Sequence, residues 1–171
     1  MQSLSNTLTQ SDSSSRGNPV KILDLGRTSY QPVYTRMQEF TRSRTRQTID
    51  QIWLTEHEPV FTQGQAGKPE HLLRLSDIPI VQTNRGGQVT YHGPGQITAY
   101  LMLDLRRRGL GVKDLVTRIE AAVSDVLLDF GISSELRPDS PGVYIENAKI
   151  AALGLRVSRG CSYHGLSLNV D

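Results

Sequence analysis

The chain has 171 residues, 37% of them hydrophobic, a net charge of +2 and a single cysteine. That length suits one domain with a real core. The near-balanced charge argues against a strong polyanion binder, and one thiol excludes an internal disulfide and suits a reducing compartment. No apolar run approaches the eighteen or so residues a membrane helix needs, and no apolar stretch follows a basic start as in a secretory signal, so a cytoplasmic protein is expected.

Residues 1–18 are mostly Ser, Thr, Gln and Asn. They bury too little to offset their ordering entropy and are expected to form a disordered tail, with one domain over 19–171. Lys21 to Leu25 predicts a first strand. Val33, Met37 and Phe40 recur at helical spacing and predict a helix over Gln31 to Arg44. Short strands are expected at Asp50 to Glu56, Pro59 to Gln63, Ile80 to Thr83, Gln88 to Tyr91 and Ile97 to Leu103. The clearest element is a helix from Val112 to Phe130. Its stripe is Val112, Leu115, Val116, Ile119, Val123, Val126, Leu127 and Phe130, and Gly131 follows as a stop. Gly142 to Ile145 and Lys149 to Val157 read as a hairpin, and Tyr163 to Val170 as a last strand. The fold class is α+β: a mixed, largely antiparallel sheet backed by helices. Ending on a strand predicts an exposed sheet edge and marginal stability.

The richest stretch is Asn84 to Gln96, with Arg85, Gly86, Gly87, Gln88, Val89, Thr90, Tyr91 and His92 leading into Gly93-Pro94-Gly95. Adjacent glycines let backbone approach a ligand, Arg85 can offer a fork of donors, and His92 can move a proton near neutral pH. A ligand loop and a plain hairpin with a Gly-rich turn both fit. No Walker-type or dinucleotide glycine pattern is present. Lys149 opens an apolar strand, where partial desolvation would lower its basicity; a lysine snorkelling from a strand end fits as well. Cys161 and His164 lie three apart and suggest a nucleophile pair, but in a regular strand such positions face opposite ways, and a lone cysteine also reads as a small buried residue. Arg42-Arg44-Arg46 and Arg106-Arg107-Arg108 read as solvated faces, or as contacts for an acidic partner. No metal-ligand spacing is visible.

Arg85-Gly-Gly-Gln-Val-Thr-Tyr-His-Gly-Pro-Gly-Gln96 resembles the signature of lipoyl(octanoyl) transferases. Glu58 to Gly64, Lys149 to Arg156 and His164 to Val170 resemble further motifs of that family, so the similarity spans Val20 to Asp171. The resemblance implies the fold of biotin and lipoate ligase catalytic domains. It also implies transfer of an octanoyl group from octanoyl-acyl carrier protein, through a cysteine thioester, to a lysine of lipoyl domains in 2-oxoacid dehydrogenases and the glycine cleavage H protein. No cofactor, ATP, nucleic acid or membrane is implied. It assigns acyl binding to Arg85 through His92, to Ala152, Leu153 and Gly154, and to Gly165, Leu166 and Ser167. Lys149 is then the residue that lowers the pKa of the nucleophilic cysteine. That cysteine belongs to a Pro-Cys-Gly motif after the last strand. The sequence ends at Asp171 without it, so a shortened chain is expected, and Cys161 matches no nucleophile position. An ATP-dependent ligase and a non-catalytic acyl- or carrier-binding fragment are the alternatives.

Overall fold

A computed structural model of the protein describes residues 18–68 and 77–171. The predicted tail therefore lies, apart from Asn18, outside the described residues. Seven strands form the main sheet in the order β1 (Val20–Thr28), β2 (Asp50–His57), β6 (Gln96–Met102), β10 (Cys161–Asn169), β9 (Ala148–Ser158), β8 (Gly142–Ile145) and β7 (Glu135–Leu136). Within this sheet only β1 and β2 pair in parallel. A second sheet holds β4 (Ile80–Gln82), β3 (Val60–Gln63) and β5 (Val89–His92). The expected architecture holds, but as two sheets rather than one. β5 and β6 belong to different sheets, so Gly93-Pro94-Gly95 is a corner between layers and not a hairpin turn. β10 pairs on both sides, with β6 and β9, so the last strand is central and not an edge.

Period-two alternation explains how one sheet carries two cores. Trp53, Tyr100, Met102 and Tyr163 face helix α1 (Tyr30–Ser43), which buries Tyr30, Val33, Tyr34 and Met37 against them. Their strand neighbours Ile52, Leu101 and Leu103 face the other way. They meet the short helix α2 (Leu105–Arg108) and the long helix α3 (Val112–Asp129) through Leu105, Leu115 and Ile119. Further along, Val123 and Leu127 cover Val143, Ala151 and Leu168. The buried stripe of α3 is thus Leu115, Ile119, Val123 and Leu127. Val112, Val126 and Phe130 from the predicted stripe are exposed, Phe130 at 79%. Gly131 ends the helix at φ 73°, as its position predicts. Pro32 sits in the first turn of α1, where a missing N–H costs nothing. No described helix is long and apolar enough to cross a membrane.

Candidate active site

The small sheet closes over the α1 face of the large one. Between them lies a narrow cleft lined by Arg85, Thr90, His92, Ala152, Leu153 and Gly154, and by His164, Gly165, Leu166 and Ser167, with Tyr30, Thr98 and Tyr100 at its base. All of 152–154 and 165–167 thus meet Arg85, Thr90 and His92 in one place, whereas Gly86, Gly87, Gln88, Val89 and Tyr91, also expected to bind the acyl group, do not line the cleft, and Tyr91 is exposed. The cleft is narrow and partly open, with about 30 Å³ of free space within it.

Arg85 is 7% exposed and is used internally. Its Nη2 donates to Thr62 O (2.7 Å), Thr62 Oγ1 (2.8 Å) and Gln88 O (2.9 Å), while Nη1 donates to Gly86 O (2.9 Å). The fork expected to grip a ligand instead folds the Gly86–Gln88 loop around itself. Gly86 N donates to Leu155 O (3.0 Å), which ties the loop to β9. Burial lowers the Arg85 pKa. Gly165 allows the layers to approach: a Cβ there would sit 1.9 Å from Ala99 O, so only glycine fits.

The histidines have defined tautomers. Gln96 Nε2 donates to Asn169 Oδ1 (2.9 Å) and Tyr91 O (3.2 Å), so Gln96 Oε1 faces His92 Nδ1 at 2.6 Å and accepts its proton. Burial, opposed by that hydrogen bond and reinforced by His57 and Arg85, lowers the His92 pKa to about 4. Asn84 Nδ2 donates to Tyr163 OH (2.8 Å), so Asn84 Oδ1 accepts from His164 Nε2 (2.9 Å). The other ring nitrogen, His164 Nδ1, is buried and unpaired, as is Thr98 Oγ1. Burial, with Arg85 and His92, lowers the His164 pKa to about 3. His164 has φ 61°, which breaks the strand alternation. Tyr163 and His164 consequently both face α1, His164 N donating to Met37 Sδ (3.1 Å). Two buried polar atoms, a hydroxyl and a neutral imidazole nitrogen, thus stand without a partner on residues that line the cleft.

Lys149 is not in the cleft. It stands at the start of β9, three residues or roughly 10 Å from Ala152 along the strand. It is exposed rather than desolvated, with Nζ donating to Pro141 O (3.1 Å). Beside it lies a cavity of about 520 Å³ lined by Lys149, Ile150, Asn169, Val170 and Asp171. Val170 N (2.8 Å) and Asp171 N (3.1 Å) donate to Gly95 O, so the glycine corner steers the end of β10 toward this place. Cys161 is at the opposite end of β10, buried, and His164 is bound to Asn84 instead; the suggested Cys-His pair is absent.

The arginine clusters are not simply solvated. Asp50, fully buried, accepts from Arg44 Nη2, Arg107 Nη2 (2.6 Å) and Arg108 Nε (2.5 Å), and from Asp104 N (2.9 Å). Burial pushes its pKa up, but these donors outweigh that and hold it below the usual carboxylate value.

Residues 30–171 match the lipoyl protein ligase A/B catalytic domain family. The chain belongs to that family. It is 60% identical over 148 residues to an octanoyltransferase of Pseudomonas fluorescens (strain SBW25), covering 86% of this chain and 69% of that protein. It is 63% identical over 150 residues to an octanoyltransferase of Cellvibrio japonicus (strain Ueda107), covering 88% and 70%. The fold is also that of lipoate-protein ligase A bound with ATP (TM-score 0.66, 13% identity, 87% of this chain and 66% of that one). Biotin protein ligase from Aquifex aeolicus with biotin and ATP is more distant (TM-score 0.52, 10% identity, 86% and 51%). At such identities the ligases speak for the fold alone. Tyr30, Thr98 and Tyr100 line the cleft without any motif to announce them; their signal was only burial on one strand or helix face.

Proposed function

We propose that this protein is a cytoplasmic octanoyltransferase that moves an octanoyl group from octanoyl-acyl carrier protein to a lysine amine of a lipoyl domain. The observation that carries this reading is the convergence of the three motif segments on one apolar cleft, in a chain about 60% identical to octanoyltransferases. The donor thioester is already activated, so no ATP enters. A thiolate attacks the thioester carbonyl; the new C–S bond forms as the old one breaks and the carrier leaves as its thiol. The lysine amine then attacks the acyl-enzyme, a C–N bond forms, and the thiolate leaves and takes up the amine proton.

In this reading the acyl chain lies along Ala152, Leu153 and Leu166, with Arg85 shaping the loop from Gly86 to His92 that encloses it. Thr98 Oγ1 is free to donate to the carbonyl oxygen, and His164 Nδ1 to accept an N–H, because neither is used by the protein. Lys149 favours the thiolate of a cysteine from a segment that continues past Asp171, into the cavity the two share. Intact-mass spectrometry after incubation with octanoyl-acyl carrier protein tests this. A form carrying the Pro-Cys-Gly segment should gain one octanoyl group on that cysteine and lose it to a lipoyl domain. An adduct on Cys161 would overturn the assignment of the thiol, and ATP–pyrophosphate exchange driven by a free fatty acid would favour a ligase.

A further inference from the structure

At the far end of β10 from Lys149, eight strand steps or roughly 27 Å away, is a cavity of about 700 Å³. Arg44, Arg46, Arg106, Arg107 and Arg159 line it, together with Thr41, Asp104 and Cys161. Asp50 lies behind the wall and holds Arg44 and Arg107. Among the described residues no carboxylate pairs with Arg46, Arg106 or Arg159. Arg159 Nη2 donates only to the carbonyls of Thr41 (3.1 Å) and Arg42 (2.5 Å). Five guanidinium groups therefore converge with two carboxylates nearby. Two buried donors, Arg44 Nε and Arg107 Nε, have no partner, and the Arg44 side chain is only 3% exposed. Both Nε atoms lie beneath the cavity surface, so an anion in the cavity answers these arginines through the charge of the same guanidinium groups and not by a bond to Nε.

We propose that this cavity is an anion site that takes the phosphate groups of a small polyphosphorylated ligand. A single carboxylate would leave most of the excess charge unanswered, whereas oxygens spread over two linked phosphates match several Arg forks at once. The volume lies within the range of small-molecule sites and far exceeds one phosphate. The chain's overall charge of +2 gives no hint of it, because the charge is local.

Isothermal titration calorimetry with sodium pyrophosphate, at ionic strength held constant with chloride, tests the proposal. The wild-type protein should bind one equivalent saturably. Arg46→Ala/Arg106→Ala, whose side chains make no hydrogen bond to the rest of the described chain, should bind roughly tenfold or more weakly while melting at the wild-type temperature. If the double variant is unfolded, Arg46→Glu alone, an exposed position, should still weaken binding. No saturable heat from wild type, or equal binding by the variants, would overturn the site. Polyglutamate binding more tightly than pyrophosphate, and lost in the same variants, would give the surface to an acidic protein and overturn the small-ligand assignment.

Discussion

Arg85 and Arg44 are both buried arginines, and they are answered in opposite ways. Arg44 meets a carboxylate, Asp50, which also collects Arg107 and Arg108 and so joins α2 and the α1–β2 connection to one strand end. Arg85 meets only carbonyls and a hydroxyl, from Thr62, Gly86 and Gln88. A charge answered by a charge fixes elements together. A charge answered by backbone dipoles shapes a loop, and keeps the cleft beside it free of any carboxylate that would repel a thiolate or hold water.

The largest expected effect breaks the first arrangement. Asp50→Asn leaves three guanidinium groups without their counter-charge and should cost roughly 3–5 kcal/mol in a urea titration; a loss under 1 kcal/mol would mean that the cluster is solvated after all. Lowering the pH strikes the cleft next. Below pH 6.5 the imidazoles of the unfolded chain take up protons that folded His92 and His164 refuse until about 4 and about 3. Stability should therefore fall as pH falls from 6.5 to 4, by ~3 kcal/mol for His92 alone, and His92→Phe should flatten that slope.

Arg85→Lys sharpens the comparison, since lysine keeps the charge but not the fork. We expect a loss of about 2 kcal/mol and weaker acyl binding with no rescue at higher pH. A fully active Arg85→Lys protein would show that the loop shapes itself. The smallest effect on stability belongs to Lys149→Ala, within about 0.5 kcal/mol because Nζ is exposed. In a form carrying the reactive cysteine, the same change should slow acyl-enzyme formation on the order of a hundredfold at neutral pH, followed by rapid-quench mass spectrometry. An unchanged rate would remove Lys149 from the reaction.

Local pattern made most elements legible. Helices α1 and α3 and nine of the ten strands rest on apolar periodicity, caps and turn residues that neighbours in sequence enforce, and the Arg85–Gln96 stretch stood out because glycine and proline cluster there. The missed elements, α2 and β7, are four and two residues long, too short to show a period. The sequence by itself thus determined the α+β class, the family and the segments that form the cleft. Only the tertiary structure decided that β5 and β6 belong to different sheets, that Arg85 turns inward, and that Lys149 stands exposed beside Asp171. It alone brought Arg44, Arg107 and Arg108 to Asp50, from positions 6, 57 and 58 residues away. A side chain's partner across such a separation is set by how the layers pack, and no local periodicity encodes that.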